Sequence, residues 1–314
     1  MQSIRGVLKL TKYVINGRAH NPSDAIMAKV LVTGGRGFIG SHLSKFLEGK
    51  GHDVSIFSKR DGKGGGDIAD YDSVLKATSG IDWVFHLAGV SSVSKTGEGS
   101  DEIFKSNIAG THNVLLACHQ NKVERVVFAS SSYVYGKPQS IPVSEKSALA
   151  PRTLYGLSKL VGEEYCRYYS RIGLQTIIAR LFNAFGEGQT GRVVPDFILR
   201  YKKSKSPVEI LGNSADSRDF LSIDQACLAL LLLAEKGKSG EAYNVGSGVE
   251  TRILDLAKLI AQEMGSKNDA LRKDLNYEYD EGSALRMFAD IGKLKALGFT
   301  PKSLDESQLS AMIK

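Results

Sequence analysis

An α/β fold, with a Rossmann-type doubly wound parallel sheet and a smaller C-terminal lobe, is predicted from three observations. From Lys29 onward, short β-branched apolar runs alternate with helical stretches, a pattern that calls for parallel strands joined by crossover helices. A glycine turn, "TGGRGFIG" at 33 to 40, separates the first run from the first helix. Past about Asn183 the pattern breaks into longer loops and shorter elements, with prolines at 195 and 207.

The elements follow in order. "KVLVTG" reads as the first strand and "FIGSHLSKFLEGKG" as its amphipathic helix. "DVSIF" and "DWVFH" are the next strands, with the helical "DYDSVLKATSG" between them. A helix around Asn107 to Asn121, a strand at Arg125 to Ala129, a helix from about Leu154 to Ile172 and a strand at Gln175 to Arg180 complete residues 27–182 as one dinucleotide-binding domain. Residues 183–314 are expected to form mainly a substrate lobe, with the chain crossing back to the sheet. Residues 1–26 carry basic side chains but no apolar signal core, and are read as an extension outside the fold.

Composition narrows the function classes. Hydrophobic residues make up 42% of the chain and charged residues 24%, which excludes extensive disorder and fibrous architectures. The longest apolar run, Ala226 to Ala234, falls well short of the roughly 20 residues that cross a bilayer. Cys118, Cys166 and Cys227 lack disulfide or zinc spacing and are read as reduced core thiols of a cytoplasmic protein. The net charge of +7 is scattered, so neither nucleic acid nor a membrane surface is an expected partner.

Gly34, Gly37 and Gly40 fit G-x-x-G-x-x-G, and Gly35, Gly37 and Gly40 fit G-x-G-x-x-G; spacing alone does not choose. With a strand before and a helix after, backbone N–H groups and the helix N-terminus can face a pyrophosphate. The second strand ends in Ser58-Lys59-Arg60, where dinucleotide sites that read a ribose 2′-hydroxyl usually carry an acid. Serine and two cations there, with Arg36 in the turn, favour NADP over NAD.

Tyr155 and Lys159 stand four residues apart, on one face of a helix. A lysine cation near a tyrosine lowers the phenol pKa and lets it exchange a proton with a substrate hydroxyl or carbonyl. Ser130, Ser131 and Ser132 follow a strand at the end where ligands gather. His42, His86, His112 and His119 show no metal-ligand spacing, and no metal is expected. Trp83 reads as core; Asn107 as a helix-packing or site-orienting residue; Arg192 as a loop arginine.

With these pieces in this order, the chain resembles the extended short-chain dehydrogenase/reductases, particularly the nucleotide-sugar epimerases, dehydratases and reductases. Further motifs strengthen the likeness: "DIAD" at 67 to 70, "HLAG" at 86 to 89, "NIAGTHNVL" at 107 to 115 and "SSSYVYG" at 130 to 136. "RLFNAFGEGQ" at 180 to 189, "RDFLSIDQA" at 218 to 226 and "YNVGSG" at 243 to 248 extend it into the lobe.

The resemblance implies Tyr155 as acid/base, Lys159 as its electrostatic partner and Ser131 as the catalytic hydroxyl. It places Phe38, Ile39, Asp67, Ile68, Leu87 and Ala88 around the cofactor, and Asn183, Arg218 and, less directly, Arg286 on the nucleotide diphosphate. Ser132 and Tyr133 stand where family dehydratases carry an Asp-Glu pair, which speaks against dehydration. The expected activity is a 4-epimerase acting on a nucleotide-diphosphate hexose, in a homodimer. The alternative is an NADPH-dependent 4-ketoreductase, favoured by Arg36, Ser58, Lys59 and Arg60. A carbonyl reductase of small uncharged molecules gives Arg218 no diphosphate, and a non-catalytic binding protein does not need the tyrosine and lysine.

Overall fold

Ahead of the main sheet, backbone strands β1 (Tyr13–Ile15) and β2 (Arg18–His20) pair antiparallel. The three-dimensional structure is a computed structural model describing residues 13–15, 18–20, 27–59, 65–91, 99–203, 209–211, 216–265, 271–273, 286–302, 304 and 306–313. Apart from the small ribbon, the 1–26 extension lies outside the described residues, as does Arg60.

Six strands build the central sheet: β3 (Lys29–Thr33), β4 (Asp53–Phe57), β5 (Trp83–His86), β6 (Arg125–Ser131), β7 (Gln175–Leu181) and β12 (Ala242–Val245). Their order is β12-β7-β6-β5-β3-β4 and every pairing is parallel. Parallel strands covered on both faces need continuous apolar runs rather than alternation. In β3, Val30 and Val32 pack towards helices α1 (Phe38–Glu48) and α7 (Ile223–Lys236). Leu31, between them, joins the core under α2 (Tyr71–Ala77), α4 (Thr111–Gln120) and α5 (Leu154–Arg171) on the other face.

The chain passes from β3 to β4 on one side and then crosses over to β5 on the other side of β3. That reversal opens a crevice beyond the carboxyl ends of β3 and β5. The helix expected around Asn107 begins earlier than its periodicity suggests. A short α3 (Ser100–Glu102) runs into a π-helix at Ile103–Gly110 before α4.

The lobe comprises β8 (Asn183–Phe185), α6 (Val193–Lys203), β9 (Glu209–Leu211), β10 (Ser217–Arg218), β11 (Phe220–Ser222), β13 (Thr251–Arg252), α8 (Ile253–Glu263), β14 (Leu271–Lys273), β15 (Arg286–Met287), α9 (Gly292–Ala296) and α10 (Glu306–Ile313). It has its own core, in which Phe197 and Ile198 of α6, Leu256 and Ile260 of α8 and Leu309 of α10 meet Phe185 and Phe220. Between these elements the chain returns to the main sheet at β12, beside β7. Cys118, Cys166 and Cys227 are buried thiols. Among the described residues no helix is long and apolar enough to cross a membrane.

Candidate active site

The glycine turn sits at the crevice. Gly34 has φ +72°, a left-handed conformation that favours glycine. A Cβ on it would come within 2.7 Å of the Ala88 nitrogen, and one on Gly40 would enter the Gly34 carbonyl oxygen. The Gly37 N–H closes the turn on that same carbonyl at 2.8 Å. These contacts select the Gly34, Gly37, Gly40 register. Side chains are thus kept out of the space before α1, which Phe38 and Ile39 open, and the exposed backbone fits a dinucleotide pyrophosphate.

Thr33 ties this turn to the neighbouring strand. Its carbonyl accepts from Leu87 N–H at 3.1 Å, and its hydroxyl accepts from Ala88 N–H at 3.3 Å. The buried His86 ring lies 2.7 Å from the Thr33 hydroxyl and 3.0 Å from that of Thr111. Burial, then the nearby Lys159 charge, pushes this imidazole down to about 3. It remains neutral, and its role is structural.

At the ribose side Ser58 is buried, and Lys59 is already engaged. Its Nζ lies 3.0 Å from Asp67 Oδ2 and 2.9 Å from Glu102 Oε1. Asp67 also accepts from Ala69 N–H at 2.9 Å. Ile68 is buried against Gly110, and Arg36 is exposed.

The residues expected to exchange the proton lie at the start of α5 and the end of β6. Thr153 caps α5 by accepting from Gly156 N–H at 3.0 Å, which places Tyr155 in the first turn. A Cβ on Gly156 would stand 2.7 Å from the Tyr133 carbonyl oxygen, so glycine lets the helix press onto the serine turn. The Tyr155 hydroxyl lies close enough to Ser131 for that hydroxyl to favour the ionised phenol. Burial raises this phenol, while the Ser131 hydroxyl and the Arg192 charge oppose the rise. Arg192 reaches from the loop before α6 to Ser91 Oγ, at 3.3 Å.

Lys159 is buried, 5% exposed, and donates to the Ala129 carbonyl at 2.7 Å. Its Nζ lies 5.8 Å from the Tyr155 ring centre. Burial drives its pKa down to about 8. Asn107, projecting from the π-helix, donates to Ser158 Oγ at 2.9 Å and pairs with both backbone groups of Val90. It thereby joins the loop after β5 to the catalytic helix.

Glu163, one turn beyond Lys159 and fully buried, is a residue that motif reading missed. It accepts from Ser130 Oγ at 2.6 Å, from Arg180 Nε and Nη2 at 2.9 and 2.7 Å and from Arg167 Nη2 at 2.8 Å. Arg180 continues to the Tyr135 hydroxyl at 2.9 Å, and Tyr135 donates to Asn244 at 2.6 Å. Consecutive residues of β6 therefore hold α5: Ala129 holds Lys159 and Ser130 holds Glu163, and Ser131, the next residue, stands near Tyr155. A carboxylate in helical phase with Lys159 was the available signal.

In the lobe, Asn183 Nδ2 donates to the Asp219 carbonyl at 3.0 Å, and Arg218 Nη1 to the Ser217 carbonyl at 2.8 Å. Arg286 is clamped by Glu250, at 2.6 Å through Nε and 2.7 Å through Nη2. Strands β10 and β15 pair Ser217 with Arg286 and Arg218 with Met287. Side-chain alternation then sends the two arginines to opposite faces, so they do not converge as the sequence suggested. Asp219, quoted in a motif but given no role, organises this corner. Its carboxylate accepts from Ser247 N–H and Oγ at 2.7 and 2.6 Å, Gly248 N–H at 3.0 Å and Ala289 N–H at 3.1 Å. Among the described residues no group of three or more histidine, cysteine, aspartate or glutamate side chains is placed to hold a metal.

A glycine turn at the switch point of a parallel sheet, with serine, tyrosine and lysine gathered beside it, defines an extended short-chain dehydrogenase/reductase. More narrowly, the chain belongs to the NAD dependent epimerase/dehydratase family, whose profile matches residues 30–246. It is 33% identical over 294 residues to a Methanocaldococcus jannaschii protein provisionally named UDP-glucose 4-epimerase, covering 87% of this chain and 93% of that one. A UDP-N-acetylglucosamine 4-epimerase from Methanobrevibacter ruminantium M1, solved with UDP-N-acetylmuramic acid, superimposes with a TM-score of 0.82. That match has 29% identity and covers 91% of this chain and 97% of that one. RMD from Pseudomonas aeruginosa, solved with NADPH, gives a TM-score of 0.80 at 27% identity, covering 91% and 98%. Related structures thus hold either NAD or NADPH.

Proposed function

We propose that this protein is a nucleotide-sugar 4-epimerase, acting on the C4 hydroxyl of a hexose carried by a nucleoside diphosphate. The observation that carries the reading is the placement of Tyr155 against Ser131, with Lys159 buried one turn along the same helix. A hydroxyl bound between Ser131 and Tyr155 shares its proton with the phenol. The Lys159 charge, little screened in its buried site, favours the tyrosinate needed to take that proton. Once the 4-keto sugar, formed with loss of the C4 hydrogen as hydride, has turned over, the protonated Tyr155 would return its proton to the C4 oxygen as hydride is restored at the opposite face of C4.

The residues that would hold NAD or NADP are Gly34, Arg36, Gly37, Phe38, Ile39 and Gly40 at the turn, with Ser58, Lys59, Arg60, Asp67, Ile68, Leu87 and Ala88 around the adenosine and crevice, and Tyr155 and Lys159 at the reacting end. When bound, the dinucleotide supplies a hydride acceptor and donor. Asn183 and Arg218 would lie along the substrate diphosphate; Arg286, on the other face of the paired strands and held by Glu250, would not join them. Ser132 and Tyr133 after the catalytic hydroxyl supply no acid pair for elimination, which supports epimerisation over dehydration.

The test is incubation of the purified protein with UDP-glucose and with UDP-N-acetylglucosamine, with products resolved by chromatography. Interconversion with the corresponding galacto sugars, without net consumption of added cofactor, is the expected result. Oxidation of NADPH by a nucleotide-linked 4-keto-6-deoxyhexose offered in a parallel incubation, with no interconversion of either UDP sugar, would replace this reading with the ketoreductase.

A further inference from the structure

The end of β4 lacks the acid that commonly binds a ribose 2′-hydroxyl, and by sequence Ser58 and Lys59 would welcome a 2′-phosphate. The folded chain alters that balance, because Lys59 spans two carboxylates at 3.0 and 2.9 Å. One of them, Asp67, belongs to the segment expected to border the adenine. The other, Glu102, arrives from a separate part of the chain, where α3 meets the π-helix, and is steadied by Ser106 Oγ at 3.1 Å. Among the described residues Glu102 bonds Lys59 and Ser106, and neither the glycine turn nor the Ser131, Tyr155 and Lys159 group. Its charge can therefore be removed without disturbing either.

We propose that Glu102 is a cofactor-discriminating residue, which holds Lys59 and places a negative charge where a 2′-phosphate would bind. The inference rests on the reading of this crevice as a dinucleotide site. A ribose 2′-hydroxyl can donate to a carboxylate in this cluster and leaves the Lys59 contacts intact. A 2′-phosphate must draw Lys59 away from Glu102 or sit beside it with like charge. The ion pair is about half exposed, so the contact itself contributes little. The unfavourable field of one carboxylate on a dianion within about one Debye length, at nearly aqueous dielectric, is worth roughly a three- to tenfold change in affinity. Glu102 thus supplies, from outside the β4 loop, the negative charge that Ser58 and Lys59 at the end of β4 do not carry.

The test is calorimetric titration of the wild type, Glu102→Gln and Glu102→Gln/Lys59→Met with NAD and NADP. In Glu102→Gln the affinity ratio of NADP to NAD should rise about three- to tenfold, with the Kd for NAD nearly constant, and adding Lys59→Met should cancel the rise. If both cofactors bind and the ratio stays fixed or falls, or if the rise survives loss of Lys59, the role of Glu102 is overturned and the dinucleotide site stands. If the wild type binds neither cofactor, the dinucleotide reading itself is overturned, and this proposal with it.

Discussion

At the catalytic helix the buried carboxylate of Glu163 faces guanidinium groups from Arg180 and Arg167, whereas in the C-terminal lobe Asp219 takes hydrogen bonds from neutral backbone and hydroxyl donors. Burial pushes both carboxyls up. At Glu163 the Arg180 contact and the Ser130 bond outweigh burial and hold the group below its ordinary value. At Asp219 burial wins and the value is raised. The catalytic region is thus pinned by charge, and the lobe by hydrogen-bond geometry. The two regions should respond differently to mutation and to acid.

The largest expected effect separates chemistry from binding. Tyr155→Phe should lower kcat by about 10²- to 10⁴-fold, the usual worth of a positioned acid/base, while KM for the nucleotide sugar changes only a few-fold. Steady-state kinetics would show the split, and a loss confined to KM would assign Tyr155 to binding instead.

Next come the two carboxylates. Glu163→Gln strands the Arg180 and Arg167 charges and should cost about 3–5 kcal/mol in urea unfolding. Replacing Arg180 by methionine as well should recover part of that loss. Asp219→Asn, which sets an amide donor against donors, should cost about 1–3 kcal/mol and chiefly raise KM. Their acid responses have opposite signs. Glu163 contributes stability above its ordinary range near 4.5 that is lost as pH falls through its lower folded value. Asp219, raised above 3.8, opposes folding as pH climbs through its folded value and is relieved by acid. Urea midpoints between pH 3 and 6 should therefore depend less steeply on pH in Glu163→Gln and more steeply in Asp219→Asn than in the wild type.

Lys159 sharpens the contrast because its buried charge has no carboxylate partner among its described contacts. Its folded value near 8 lies below the ordinary 10.5, so the unfolded chain binds the proton more tightly between those values, and wild-type stability should rise with pH across that window. Lys159→Met should abolish turnover yet gain about 2 kcal/mol at pH 7, after allowance for the lost Ala129 bond. The gain should fade towards pH 10. The smallest effect belongs to the exposed pair at the lobe surface. Glu250→Gln should leave the thermal midpoint within about 2 °C of the wild type, because solvent screens such contacts.

Much of this was legible in the residues. Alternating apolar runs located most strands and helices to within a few residues, and helical spacing placed Tyr155 and Lys159 on one face of α5. The resemblance marked Ser131, which the fold brings to Tyr155. Glu163 escaped because a glutamate in helical phase looks like any solvated side chain until Arg180 and Ser130 arrive from the sheet. Arg286 looked like an available phosphate ligand, and only the register of β10 against β15 set it away from Arg218.

By itself the sequence determined the succession of strands and helices, the glycine turn and the spacing of the tyrosine and lysine, because these depend on near neighbours and on fixed helical and strand periods. Tertiary structure decided which charges are neutralised and which carboxylates act as anchors. Lys59 meets Glu102 across 43 residues, and Asp219 meets Ser247 across 28. No local period encodes such meetings. They exist only once burial of the apolar faces has closed the chain, and that closure sets the electrostatic environment of every group in the site.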